Sequence, residues 1–195
     1  MFVVFEGGEG VGKSSQIKLL AEKLRKKGIP FITTKEPGGT REGKIIRRML
    51  LGKKNSEILE LFLFLADRKS HIDNVIKPAL KSGKIVLCDR FFLSTIAYQG
   101  YGRGLDVGFI ERLNNEVISC LSPDITFLID LPPEKALFRK NIKDRFEMED
   151  ISFHKKIRKG YLLLSKKYKK IKVISGAKSK EEIHQIVMEE VEKFL

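Results

Sequence analysis

Cysteine is almost absent from this 195-residue chain, with only Cys88 and Cys120 present. Two thiols cannot supply the disulfide framework of a small secreted domain, and neither sits in a spacing that suits zinc. Long apolar runs are also missing, none approaching the roughly 20 residues that span a bilayer. The segment Met1–Phe5 meets Glu6 without the basic start or the longer apolar stretch of a secretory signal. A cytoplasmic location and no membrane partner are therefore expected. Acidic residues are few beside basic ones, 25 against 38, leaving a formal charge of +13. That excess would suit a nucleic acid, an anionic membrane surface or a small polyanion such as a nucleotide. Lysine supplies 27 of the 38 basic residues and is scattered over nearly every expected helix, the pattern of a solvated surface. No helix-turn-helix, RNA-binding signature or stripe of interleaved aromatic and basic residues is present, so no nucleic-acid partner is expected. Internal repeats and low-complexity linkers are absent too. A chain of this length can bury one substantial core, and one domain over residues 1–195 is expected, with a possible lid.

What is present alternates. Short β-branched or aromatic runs at Phe2–Phe5, Pro30–Thr34, Ile85–Cys88, Ile125–Ile129 and Lys172–Ile174 read as strands. Between and after them lie amphipathic stretches that read as helices over Ser14–Lys27, Gly43–Leu51, Ser56–Ser82, Val107–Leu121, Pro133–Arg139, Ser152–Tyr168 and Lys180–Phe194. This is the signature of βα units wound on a parallel sheet, whose ligands gather at the carboxyl ends of the strands. The expectation is an α/β, three-layer fold with a five-stranded parallel sheet flanked by helices.

The strongest chemical signal is GGEGVGKS at residues 7–14, which fits G-x-x-x-x-G-K-[ST] with a strand before it and an amphipathic helix after it. Glycines let successive N–H groups and the helix N-terminus converge on phosphate oxygens. Lys13 adds a cation for the terminal phosphates, and the Ser14 hydroxyl can ligate magnesium. Gly8, Glu9, Gly10, Val11, Gly12, Lys13, Ser14 and Ser15 are thus expected around ATP. The loop alone does not say where the phosphate goes, since GTPases, DNA motors and small-molecule kinases share it.

The third strand ends in Asp89-Arg90-Phe91. A carboxylate at that edge can hold a magnesium-bound water, making Ser14 and Asp89 the expected metal residues. Arginine there can bridge donor and acceptor phosphates as the phosphoryl group passes. An ordinary surface ion pair is the alternative for this tripeptide taken alone.

Further motifs change the balance. DRFFLSTIAYQGYGRG (89–104), LFLFLADR (61–68), KEPGGT (35–40) with Arg47 downstream, and DRFE (144–147) occur in one order along the chain, which resembles the thymidylate kinase family from residue 2 to at least Tyr161. The resemblance implies a nucleoside monophosphate kinase-like fold with a short lid near 139–150, a homodimer, and transfer of the ATP γ-phosphoryl group to dTMP with Mg2+. Another nucleotide or deoxynucleoside kinase, or a nucleic-acid-stimulated P-loop ATPase, stands as the alternative. By the same resemblance Phe64 stacks on thymine and Arg68 meets a base carbonyl, the two lying four apart on one helix face. Thr95 and Gln99 read the base edge, Arg47 and Arg90 bind the acceptor phosphate, and Glu9 meets the 3′ hydroxyl. Tyr98 packs on the sugar against a 2′ hydroxyl, while Glu36, Pro37 and Ser94 line the acceptor side. Ala177 borders adenine. With Glu9-Gly10-Val11 in the loop, where other members of the family carry a basic residue, the chain resembles the division whose basic catalytic residues lie in the lid, here Arg139 and Arg145, joining Lys13, Asp89 and Arg90 as catalytic candidates.

Overall fold

The computed structural model of the chain describes residues 1–52, 55–139 and 144–195, and of Arg139 only the backbone. Five strands form one parallel sheet: β1 (Phe2–Glu6), β2 (Phe31–Lys35), β3 (Ile85–Asp89), β4 (Ile125–Asp130) and β5 (Ile171–Ser175). Their order is β2-β3-β1-β4-β5. In register, Val3 lies opposite Leu87 on one side and Ile125 on the other. The three central strands are covered on both faces, which is why they read as unbroken apolar runs, whereas the edge strands FITTK and IKVIS mix apolar and polar positions.

Alternation along β1 divides the core. Val3 and Phe5 pack toward helix α1 (Lys13–Lys26) and helix α9 (Lys180–Glu192), meeting Leu20, Leu24, Val187 and Val191. Phe2 and Val4 face the opposite layer with Ile72, Ile76 and Phe91. A third cluster sets α6 (Val107–Ile118) and α8 (Ile151–Lys167) around Leu93, Ile96 and Tyr98. α1 stops where Gly28 takes a φ of 69°, and α9 starts with a capping box between Ser179 and Glu182.

Two helical regions depart from expectation. The stretch read as one helix over 56–82 is α3 (Glu57–His71), a widened π turn (Ile72–Ile76) and α4 (Lys77–Lys81). Pro78 lacks an N–H and its ring would crowd the carbonyl four residues earlier, so a wider turn ahead of it relieves both problems. The segment after Phe91, to which the sequence reading gave no element, is helical: α5 (Phe92–Thr95) runs into a second π segment (Ile96–Gly102). The remaining elements are α2 (Arg41–Gly52) and α7 (Pro133–Ala136), the latter followed by a 3-10 turn (Leu137–Arg139).

Candidate active site

The carboxyl ends of β1 and β3 converge on one cavity of about 740 Å³. After β1 the chain enters the glycine loop, where Gly10 (φ 69°) and Gly12 (φ 102°) adopt left-handed conformations and a side chain on Gly10 would strike the Ala136 carbonyl. Gly12 is the N-cap of α1, so the loop delivers its N–H groups at a helix N-terminus. The Lys13 ammonium folds over this loop and donates to the carbonyl oxygens of Gly7 (3.1 Å) and Gly8 (2.7 Å). Burial, with the neighbouring Arg90 charge, lowers Lys13 to about 8.

β3 ends in Asp89, whose Oδ2 accepts from the Ser14 hydroxyl at 3.0 Å, while its Oδ1 is buried without a partner among the described residues. The donor set is hard oxygen from one hydroxyl and one carboxylate. Mg2+ takes few protein ligands and completes its shell with phosphates and water, so these residues fit it. Among the described residues no group of three or more His, Cys, Asp or Glu forms a separate metal cluster.

Arg90 follows with φ 72°, a left-handed conformation that a non-glycine residue adopts at a cost of roughly 1–3 kcal/mol. Its backbone N–H donates to Phe5 O, and its side chain is held on all sides. Nη1 donates to Gly7 O (3.0 Å), Ser94 Oγ and Tyr161 Oη, while Nη2 donates to Glu9 Oε1 (2.6 Å) and Tyr98 Oη (3.0 Å). Behind it lies Glu6, fully buried, which accepts from the N–H groups of Phe91 and Ser94 and from the hydroxyls of Ser94 and Tyr161. Burial pushes the Glu6 carboxyl up, opposed by its bond to Ser94 and by the Arg90 charge.

On the far side of the cavity, α3 supplies Phe64 and Arg68, α5 supplies Thr95, and the π segment after it supplies Gln99. Arg68 is 1% exposed and strongly bound, donating from Nε to Glu36 Oε2 (2.8 Å), from Nη1 to Asn114 Oδ1 (2.6 Å) and from Nη2 to Thr95 Oγ1 (3.0 Å). Glu36 also pairs with His71, so Glu36 and the neighbouring Pro37 are set on α3 by two buried contacts. Arg47 is half-buried and donates to Pro37 O at 3.3 Å; its neighbour Arg48 points to solvent.

Every residue expected at ATP or at the acceptor lines this cavity except Gly8 and Ala177. Gly8 turns its surface toward a small void bounded by Ala136 and Ile157, while Lys178, Ser179 and Lys180 line the cavity in place of Ala177. Arg145, expected on the transferring phosphate, is directed elsewhere. Its Nε donates to Leu50 O and its Nη2 to Glu60 Oε1 at 2.7 Å, because α2 and α3 bring a carbonyl and a buried carboxylate within its reach. The Arg139 side chain and residues 140–143 of the expected lid lie outside the described residues. Sequence reasoning missed Glu6, Glu60, Tyr161 and Phe146. Phe146 lies within the DRFE motif, and its ring sits 6.1 Å from those of both Phe64 and Tyr98.

A five-stranded parallel sheet in the order 2-3-1-4-5, with a glycine loop after its central strand and an Asp-Arg pair on the next, defines a P-loop nucleoside monophosphate kinase fold. A sequence model described as thymidylate kinase matches residues 5–187. A thymidylate kinase from Halothermothrix orenii is 45% identical over 98% of this chain and 96% of its own length. One from Synechococcus is 49% identical over 85% of this chain and 81% of its own. The crystal structure of thymidylate kinase from Ehrlichia chaffeensis superposes with a TM-score of 0.82 at 36% identity, covering 98% of both chains. The chain belongs to the thymidylate kinase family.

Proposed function

We propose that the chain transfers the γ-phosphoryl group of ATP to dTMP, giving ADP and dTDP for dTTP synthesis. The observation that carries this reading is the single cavity in which the glycine loop and Arg90 are continuous with the wall of Phe64, Arg68, Thr95 and Gln99. A phosphate oxygen of the acceptor attacks the γ-phosphorus as the bond to the β–γ bridging oxygen breaks, and that oxygen leaves on ADP. The nucleophile is already anionic, so no strong general base is needed.

This chain's residues align and neutralise. The glycine-loop N–H groups and Lys13 hold the donor phosphates, Arg47 receives the acceptor monophosphate, and Arg90 spans donor and acceptor as charge develops. Mg2+, held by Ser14 and through the Asp89 carboxylate, supplies charge neutralisation for the ATP phosphates when bound. Glu9 and Tyr98, joined by a 2.7 Å hydrogen bond, face the sugar and favour deoxyribose by crowding a 2′ hydroxyl. On the base, Phe64 offers a stacking face. Thr95 accepts from Arg68 and keeps its own O–H to donate. Residues 1–195 act in this reading as one domain, with a lid near 139–150.

No helix among the described residues is long and apolar enough to cross a membrane, which accords with work in the cytoplasm. Homodimer formation is part of the proposal. Ile45 and Met49 on α2, with Ile58 and Phe62 on α3, are about half exposed and sit at i, i+4 spacing on their helices, an apolar face suited to a second copy. Light scattering should return twice the chain mass, and Phe62→Arg should lower it.

A coupled ADP-release assay tests the reaction. Turnover should depend on dTMP well above dUMP, dCMP, dGMP, thymidine or DNA; equal stimulation by thymidine, or stimulation by DNA alone, would refute it.

A further inference from the structure

Gln99 is fully buried at the cavity wall, yet its side-chain Oε1 has no hydrogen-bond partner among the described residues. Its Nε2 is turned away from that oxygen toward Glu60, 3.4 Å from Oε2. Glu60 is itself 1% exposed and is gripped by two guanidiniums, Arg145 Nη2 at 2.7 Å on Oε1 and Arg103 Nε at 3.4 Å on Oε2. A carboxylate in that setting accepts hydrogen bonds and offers none. Reversing the Gln99 amide would therefore set Oε1 against a carboxylate oxygen, two acceptors in contact in a buried place, and would leave the NH2 group where Oε1 now lies.

We propose that Glu60 is a positioning residue that fixes the polarity of the Gln99 amide, so that the cavity presents an acceptor and selects a pyrimidine carrying a ring N–H. Thymine has a donor at N3, whereas cytosine has a lone pair there, which would face Oε1 acceptor to acceptor. A buried polar atom left unpaired discriminates more strongly than a missing apolar contact. Gln99 reads the base, and Glu60 acts through Gln99 without touching the nucleotide. Because Arg145 and Arg103 hold Glu60 in turn, the same carboxylate ties the base-reading amide to residues 145 and 149, the latter bound by Arg103 Nη2 at 2.6 Å.

The inference rests on dTMP as acceptor, and the test separates the two. Initial rates with dTMP and dCMP are measured on the wild type, on Glu60→Gln, and on the exchange variant Glu60→Gln/Gln99→Glu. Residue 60 as glutamine can donate its own NH2 to Gln99, freeing the Gln99 amide to turn. The ratio of kcat/KM for dTMP over dCMP should fall at least tenfold in Glu60→Gln. It should recover in the exchange variant, where an oxygen again faces the cavity. A purely structural Glu60 would lower both activities together, leaving the ratio unmoved and the exchange without effect; that result overturns the proposal. If the variants do not fold, the wild type with N3-methylated dTMP decides, since that analogue lacks the donor. Rejection supports an outward-facing acceptor, and use equal to dTMP overturns it. A wild type that ignores dTMP altogether would instead defeat the assignment of the reaction.

Discussion

Arg90 reaches the glycine loop directly, its Nη1 lying 3.0 Å from the carbonyl oxygen of Gly7. The contact joins the ends of two neighbouring parallel strands, β1 and β3, so the position of this guanidinium is set by sheet register and a left-handed backbone turn. Four further oxygen-bearing side chains surround it: Glu9, Ser94, Tyr98 and Tyr161. This degree of constraint suits a group whose value in the reaction lies in being in place before charge develops.

Arg90→Lys keeps the charge but loses the planar fork that satisfies these oxygens. The expected loss is roughly 10²- to 10³-fold in kcat, the size seen when one preorganised donor is removed from a transition state. Steady-state kinetics with both substrates saturating would check it, and KM for ATP should change far less than kcat.

Among the described residues the Arg47 side chain makes one hydrogen bond, to Pro37 O, and Arg47 lines the cavity. Arg47→Ala should raise KM for dTMP about ten- to a hundredfold, from loss of a charge-assisted hydrogen bond worth roughly 1.5–3 kcal/mol. Turnover at saturating dTMP should survive. Binding of thymidine, which lacks the phosphate, should be unaffected in calorimetry.

Lys13 gives the ATP site a pH dependence. Burial, then the Arg90 charge, brings its ammonium down to about 8, so the cation is complete below that value and is lost as pH rises through it. KM for ATP should be flat from about pH 6.5 to pH 7.5 and should climb above about pH 8, as a cation facing phosphate disappears. Rates measured across that range at fixed Mg2+ would show the climb; a flat profile to about pH 9.5 would contradict it.

Asp67 should tune stability. Burial and the Glu36 charge raise its carboxyl to about 6, while Oδ1 accepts from the Gly38 N–H and Oδ2 has no partner among the described residues. The folded chain holds this proton more tightly than the unfolded chain, so stability falls as pH climbs from the ordinary carboxyl range toward about 6, and the penalty persists above it. Asp67→Asn keeps an oxygen for Gly38 and removes the charge. It should stabilise the protein by roughly 1–3 kcal/mol near pH 8 and by almost nothing near pH 4, read from urea unfolding at the two values.

Most of the sheet was legible in the sequence because β1, β3 and β4 are buried on both faces and are apolar apart from Thr126 and the acid that ends each strand. The glycine loop was legible because phosphate chemistry restricts its residue types and spacing. The helix from Phe92 to Gly102 was not: Gly100 and Gly102 weaken any local helical preference, and packing of Ile96 and Ala97 into the core forms it. Glu6 and Glu60 were invisible for another reason. Each is one acid in an apolar stretch, and its partners, Ser94 and Tyr161 for the first and Arg103 and Arg145 for the second, arrive from distant parts of the chain. Arg145 shows the converse limit, since the basic character of its segment was readable but the buried carboxylate that claims it was not.

A crystal structure with dTMP and a non-hydrolysable ATP analogue tests the account most directly. The thymine ring should stack on Phe64 with its N3 within hydrogen-bonding distance of Gln99 Oε1, and the acceptor phosphate should lie between Arg47 and Arg90, end to end with the phosphates on the glycine loop. A pyrimidine bound away from Phe64, or an Arg90 side chain turned from both phosphates in the filled site, would contradict it.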